Sequence, residues 1–366
     1  MPNFDIVREV CPKKSFRVSS VMGKFDLQSE NIKEHFEGNI DLPEQWQIGL
    51  IIGKSGTGKT TIAKELFPKS YITNFKYNAE TILDDMPENK SIEEISKTFN
   101  SVGFSSPPSW LKPYSVLSNG EKMRCDLATA ILSDKQLFVF DEFTSVVDRQ
   151  VAKIGSFAMQ KAIRRTKKQF IAVTCHNDVE DWLLPDWIFD TDTMTFRIGQ
   201  KKNKPALKFE IYETGTTEEK KHYWKMFGKY HYLSHSLNEK GKCYIGCVNN
   251  NPATFISIIN FPHPIVKRMK KVHRLVTLPE YQGIGLGIKT LNLVGNSYLS
   301  DKWRFGITTS SPSLVFGLKN NNDWRCVFKG RMKSQSKSTT IGNLNTSQNR
   351  ITTSWEYVRK NITSNA

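Results

Sequence analysis

Three short runs of apolar residues punctuate the first 200 positions: Gln47–Gly53 (QIGLIIG), Leu137–Phe140 and Phe170–Thr174. Runs of this length without polar alternation predict strands buried on both faces, the habit of a parallel sheet. Helical spacing of apolar residues accompanies them, with Ile62, Ala63, Leu66 and Phe67 after the first run and Met123, Leu127, Ala130 and Ile131 before the second. Residues 1–200 are therefore expected to form an α/β domain. The charged, Pro-terminated stretch Lys201–Pro205 then marks a boundary. Beyond it come a strand over Val272–Leu278, a helical face of Ile288, Leu291, Val294 and Tyr298, and a strand over Arg304–Thr309. Alternation across Thr352–Val358 predicts a closing strand, so residues 201–366 are expected to form a second, α+β domain.

The first run leads directly into Gly53-Lys54-Ser55-Gly56-Thr57-Gly58-Lys59-Thr60-Thr61, a GxxxxGK[ST] loop between a strand and a helix. Its glycines let backbone N–H groups curl around phosphate oxygens, with Gly53, Ser55, Gly56, Gly58 and Thr61 as the cradle. Lys59 adds a point charge toward the β- and γ-phosphates, and Thr60 offers a hydroxyl to Mg²⁺. The second run ends in Asp141 and Glu142, which predicts a strand delivering one carboxylate to Mg²⁺ and another to the attacking water of ATP hydrolysis.

Between them lies Leu117-Ser118-Asn119-Gly120-Glu121. Ser118 with Glu121 is a capping box, which puts Ser118 and the Gly120 N–H at a helix N-terminus, a natural anion site. The segment resembles the LSGGQ signature of ATP-binding cassette (ABC) proteins. Ser145-Val146-Val147-Asp148 is similar to that family's D-loop, and His176, after the third run, to its switch histidine. The resemblance implies that the signature helix of one subunit closes over ATP held by another, hence an ATP-dependent homodimer to which Ser118, Gly120 and Asp148 contribute. Two departures stand out: no Gln occurs between Thr61 and Lys135, where the family has its Q-loop, and Asn119 replaces a signature glycine. The short span from Lys59 to Ser118 leaves little room for a subdomain that docks on membrane helices.

Charge changes the picture. Residues 1–200 hold 25 Lys+Arg and 27 Asp+Glu, whereas residues 201–366 hold 27 Lys+Arg against 9 Asp+Glu, a net +18. Such a charge opposes compact folding and points to a polyanionic partner, DNA or RNA. Lys220–Tyr232 (KKHYWKMFGKYHY) interleaves basic and aromatic residues, so that Trp224, Phe227 and Tyr230 are either base-stacking platforms or the core face of a helix. Arg331–Asn349 is expected to be a basic loop. Neither a signal-peptide core nor an apolar run long enough for a membrane span is present, so a cytoplasmic protein without a membrane partner is expected. Among six scattered cysteines, Cys243 and Cys247 have the only spacing that invites a metal, with free thiols as the alternative.

The strand ending at Leu278 passes through Pro279-Glu280-Tyr281 into Gln282-Gly283-Ile284-Gly285-Leu286-Gly287 and then a helix. This block is similar to the acetyl-CoA motif of GNAT acyltransferases. The resemblance implies that backbone amides of Gln282, Gly283, Ile284, Gly285, Leu286 and Gly287 receive the CoA pyrophosphate, and that the backbone of Leu275, Val276 and Thr277 holds the thioester carbonyl of acetyl-CoA. Where the family often has a tyrosine acid, this chain has Phe316 and Gly317. His263, His273 and Glu280 are the candidate bases, since an attacking amine must lose a proton. The GNAT half also resembles Mom-type proteins that modify DNA adenine, and the whole resembles ABC-type ATPases fused to a predicted acetyltransferase. Three functions remain open: acyl transfer to nucleic acid under ATP control, acyl transfer to a protein lysine or small amine, and a nucleic-acid-bound ATPase switch with a non-catalytic GNAT fold.

Overall fold

The computed structural model describes residues 3–10, 15–26, 32–200, 207–231, 236–262, 266, 268–331 and 351–359. The chain divides into two compact units, both discontinuous in sequence. The first comprises Met1–Phe75, Ser133–Ser156 and Gln160–Pro205; the second comprises Lys76–Leu132, Phe157–Met159 and Ala206–Ala366. The first unit ends at Pro205. The helical stretch Lys76–Leu132, expected from its position in the sequence to belong to the first domain, groups instead with the C-terminal residues.

In the first unit, β1 (Asn3–Val10) and β2 (Ile32–Asn39) pair as an antiparallel ribbon, with α1 (Phe16–Phe25) between them in the chain. Next come β3 (Ile48–Ile52), α2 (Lys59–Leu66) and β4 (Tyr71–Ile72). In the second unit, α3 (Ile92–Ser101), α4 (Pro107–Trp110) and α5 (Asn119–Leu132) follow, with α3 packed on α5. The chain then forms β5 (Leu137–Phe140), α6 (Arg149–Ile163), β6 (Gln169–Thr174), α7 (Val179–Leu183), β7 (Trp187–Asp190) and β8 (Thr195–Ile198). The sheet of the first unit runs β4-β5-β6-β3-β7-β8, parallel throughout except for β8. All five residues of β3 are buried, as an unbroken apolar run in a central parallel strand requires. Gly49 has its place there because the indole of Trp187 covers its backbone: a Cβ would meet Trp187 Cζ2 at 2.1 Å.

The second unit is completed by β9 (Phe209–Glu213), α8 (Thr217–Phe227), β10 (Lys242–Val248), β11 (Asn251–Asn260), β12 (Met269–Thr277), α9 (Leu286–Ser300), β13 (Arg304–Thr309), α10 (Pro312–Lys319), β14 (Trp324–Arg331) and β15 (Ile351–Tyr357). Its sheet runs β14-β15-β13-β12-β11-β10-β9, and β12–β13 is its one parallel pair among the described residues. Ile256, Ile258, Phe305, Ile307 and Trp355 of the sheet form a core with Leu291, Val294 and Tyr298 of α9. Because side chains alternate along a strand, Phe255 points to the other face, where Trp224 and Phe227 of α8 stack against it at 5.2 and 5.8 Å. Glu356, only 5% exposed, is held by Arg304 and Arg325, which ties β13, β15 and β14 together.

The tight fit at Gly49 is testable. Gly49→Ala should destabilise the first unit by about 1–3 kcal/mol through overpacking, read as a lower midpoint of thermal unfolding followed by tryptophan fluorescence. An unchanged midpoint would contradict the packing described.

Candidate functional site: two glycine-started helices

The strand register brings the sequence motifs of the first unit to one sheet edge. Ile52 of β3 lies beside Thr174 of β6, and Phe140 of β5 lies beside Ala172. The loop after β3, the acids after β5 and His176 after β6 therefore emerge together at the carboxyl ends of adjacent parallel strands, where α/β sheets bind ligands. Gly56 and Gly58 adopt left-handed φ values of 87° and 83°, and Gly58 caps α2 without any side-chain acceptor. Among the described residues the backbone N–H groups of Gly58, Lys59, Thr60 and Thr61 have no protein acceptor. Unpaired N–H groups at a helix start form an anion cradle. Ser55 and Gly56 stand exposed at its tip, and Lys59 Nζ folds back onto the Lys54 carbonyl.

Asp141 is gripped by several donors. Thr60 Oγ1 donates to Asp141 Oδ2 at 2.8 Å, the Tyr71 hydroxyl donates to the same oxygen, and the Glu142 N–H donates to Oδ1 at 2.9 Å. Burial and the adjacent Asp141 raise the Tyr71 phenol well above its usual range, so it remains a donor. Glu142 itself is left-handed, with φ 53°, a costly conformation for a residue with a Cβ. His176 is half-buried, its N–H bonded to Thr174 Oγ1 at 3.2 Å. Asp148 caps α6 by accepting from the Gln150 and Val151 N–H groups, 3.0 Å each. Two participants carry no sequence signal: Tyr71, and Asp192, whose Oδ1 accepts the Lys54 N–H at 2.8 Å. Their contacts span long stretches of chain and leave no local motif.

In the second unit, Ser118 forms the capping box expected. Its Oγ accepts the Glu121 N–H at 3.3 Å, while Glu121 Oε2 accepts from the Ser118 N–H and Oγ at 3.1 and 2.9 Å. Burial pushes the Glu121 carboxyl up, but donors from Ser109 and Ser118 outweigh it and hold the carboxyl below its ordinary value. Ser118 and Asn119 are exposed and Gly120 is half-exposed, leaving the start of α5 open.

The second glycine-started helix is α9. Gly283 and Gly285 have φ values of 87° and 91°, and Gly285 caps α9 with no side-chain acceptor. Among the described residues the N–H groups of Gly285, Leu286 and Gly287 have no protein acceptor. Beside this loop, β12 and β13 pair only at Met269–Lys271 with Arg304–Gly306 and then part company. Among the described residues Leu275, Val276 and Thr277 are laddered only to β11, with no strand paired on their other edge. The Gln282 N–H, expected to face pyrophosphate, donates to the Pro279 carbonyl at 3.3 Å, and its side chain bridges the Ser105 N–H, at 3.1 Å, and the Thr277 carbonyl, also at 3.1 Å. Gly283 faces protein, where a Cβ would meet the Gly103 backbone at 2.9 Å. Gly285 is the exposed residue of the loop, with Ile284 and Gly287 half-exposed and the Leu286 side chain buried.

Of the candidate bases, His273 is the extra residue of a β-bulge in β12, opposite the Ser257/Ile258 step. Its Nδ1 is buried without a hydrogen-bond partner, and burial, then Arg274, lowers its pKa. Glu280 keeps one buried carboxylate oxygen without a partner. His263 lies outside the described residues, as does the basic loop beyond Arg331 as far as Asn349. Phe316, 46% exposed, and Gly317 lie on α10. Trp224 and Phe227 are buried against Phe255, so they belong to the core and are not stacking platforms; only Tyr230 of the three is exposed. Cys243 and Cys247 are buried free thiols on β10, and no three His, Cys, Asp or Glu side chains among the described residues group as a metal site. No helix among the described residues is long and apolar enough to cross a membrane.

No protein-family model and no curated protein matches the chain. Solved structures similar to it include the ATP-binding cassette MJ0796 in a dimeric post-hydrolysis state bound to ADP and Pi. That match has 15% identity and a TM-score of 0.35, covering 43% of this chain and 87% of that one. Another dimeric structure of MJ0796, a bacterial ABC transporter cassette, matches at 15% identity and TM-score 0.33 over the same shares. A bacterial Atm1-family ABC exporter with ATP bound matches at 16% identity and TM-score 0.33, over 44% of this chain and 34% of that chain. Likeness at this level carries no functional argument, which rests on the site itself.

The Tyr71 contact tests the expectation that Asp141 holds Mg²⁺. Donors that orient a ligating carboxylate affect metal affinity about 10–100-fold, so Tyr71→Phe should weaken Mg²⁺ dependence of ATP binding by about that factor. Titration of Mg²⁺ at fixed ATP checks it, and wild-type Mg²⁺ affinity in the variant would contradict the role.

Proposed function

We propose that the chain is an ABC-type ATPase joined to a GNAT-type acyl-CoA transferase, acting as an ATP-dependent homodimer on nucleic acid. The observation that carries the ATPase reading is the Thr60–Asp141 hydrogen bond beside the open start of α2. A loop hydroxyl and a strand-end carboxylate already share the place where Mg²⁺ belongs, next to N–H groups that fit phosphate oxygens. Lys59 then faces the terminal phosphates, and Glu142 accepts a proton from the attacking water. His176 stands at the same edge to contact the terminal phosphate. Ser118 and Gly120 of one chain, with the D-loop Asp148, close over ATP held by the other chain. The missing Q-loop glutamine favours slow hydrolysis over loss of ATP binding.

The transferase reading is supported by the parted β12 and β13 next to the open start of α9. A pyrophosphate fits the N–H groups of Gly285, Leu286 and Gly287. The unladdered edge of Leu275–Thr277 supplies backbone donors to a thioester carbonyl. In this reading His273, whose pKa burial lowers, serves as the proton acceptor. As the amine nitrogen bonds the carbonyl carbon, its proton passes to His273, the C–S bond breaks, and the proton goes on to the departing thiolate, giving amide and free CoA. The net +18 of residues 201–366 favours a polyanionic acceptor. Phe316, standing where the family often has its tyrosine acid, favours a second reading, an ATP switch whose GNAT fold binds without turnover.

Two measurements test this. Nucleosides from cells expressing wild-type protein should contain an acylated species by mass spectrometry, and His273→Ala should reduce it about 10²–10⁴-fold. No modified nucleoside in wild-type cells would favour the switch. Separately, affinity for a DNA or RNA oligomer should fall at least about tenfold between 50 and 200 mM salt through counterion release; salt-insensitive binding would contradict the polyanion assignment.

A further inference from the structure

The strongest unexplained geometry lies inside the second unit, where the stretch that carries Ser118 meets the loop that opens α9. Arg124, on the second turn of α5 and only 2% exposed, donates from Nη2 to the Glu280 carbonyl at 3.3 Å. Gln282 accepts the Ser105 N–H and donates to the Thr277 carbonyl, so a single side chain joins the segment between α3 and α4 to the end of β12. Gly103, left-handed at φ 85°, lets the two backbones touch: a Cβ there would meet the Gln282 carbonyl oxygen at 2.7 Å. A fourth contact comes from α3, whose Lys97 Nζ sits 5.9 Å from the Phe316 ring of α10. Each of these joins sequence segments more than 150 residues apart, and none is needed to close either sheet.

A buried guanidinium is costly unless its hydrogen bonds are well placed. Here one of them falls on the turn Pro279–Tyr281, immediately before the open N–H groups of α9. We propose that Arg124 and Gln282 are positioning residues that tie the acyl-CoA loop to the signature helix, so that ATP at Ser118 and acyl-CoA at α9 alter each other's affinity. An anion drawn to the start of α5 pulls on a helix whose second turn holds Glu280. Displacement there moves the Gln282 bridge and with it the spacing between Thr277 and Gly285, the two ends of the acyl-CoA cradle. Coupling of this kind is reciprocal: if ATP tightens acetyl-CoA binding by some factor, acetyl-CoA tightens ATP binding by the same factor.

This inference rests on the transferase reading above, and the experiment separates the two. Acetyl-CoA affinity is measured calorimetrically on the full chain carrying Glu142→Gln, which holds ATP unhydrolysed, with and without Mg-ATP. The expected change is within the 5–150-fold range typical of coupled sites, matched by an equal change in ATP affinity when acetyl-CoA is added. Arg124→Met should bring both ratios close to one while each ligand still binds alone. Hydrogen exchange of the 283–287 amides in the unmutated chain serves as a second readout, because a buried-arginine variant can fail to fold. ATP alone should change the protection of those amides. Absence of acetyl-CoA binding would overturn the transferase reading and the coupling together. Acetyl-CoA binding that ignores ATP, with unchanged exchange at 283–287, would overturn the coupling alone.

Discussion

A helix cannot bond its own first N–H groups, and what distinguishes this chain is that a left-handed glycine stands at that deficit twice, at the starts of α2 and α9. Several other helices close it with a side chain: Ser91, Asp148 and Thr216 each cap their own helix. At α2 and α9 a left-handed glycine occupies the cap and no side chain accepts a capping hydrogen bond. Water or an anion must then supply the acceptors. Both helices also start at the carboxyl end of a strand that has a parallel neighbour, β3 in one sheet and β12 in the other, so the open N–H groups face ground that the sheet leaves clear.

The two cradles differ in what surrounds them, and that difference separates their proposed chemistry. Around α2 stand a lysine, a threonine hydroxyl and a carboxylate oriented by three donors, the set needed to hold a metal-bound triphosphate. At α9 a charge beside the loop is the Arg124 guanidinium, which donates to the Glu280 carbonyl. There the cradle adjoins an unladdered strand edge and a bulged, neutral histidine, which suits a neutral thioester and an amine nucleophile. The capping box at Ser118 is a third helix start, satisfied at its first donors yet exposed, as the proposed contact with a nucleotide presented by another chain requires.

Legibility in the sequence followed the range of the interactions. Local chemistry was readable: the glycine loops, the Ser118–Glu121 box, the apolar runs that became β3, β5 and β6, and the alternation that became β15. Each depends on neighbours within a few residues. Tyr71 and Asp192 were not readable, because they reach Asp141 and Lys54 only once the sheet has ordered its strands out of sequence. Likewise nothing local announced that Lys76–Leu132 would group with the C-terminal residues, since Arg124, Ser105 and Gly103 find their partners far along the chain. The aromatic stretch at Lys220–Tyr232 was ambiguous for a different reason. Amphipathic spacing is the same for a core face and a stacking face, and only Phe255 on β11 decides for the core.

The most direct test of two independent cradles is a paired binding experiment on the full chain with ATP and acetyl-CoA as separate titrants. The account predicts that the ligands bind together, one of each per chain, that Lys59→Ala abolishes only ATP binding, and that Gly285→Glu abolishes only acetyl-CoA binding. Competition between the two ligands, or loss of both through either substitution, would contradict it.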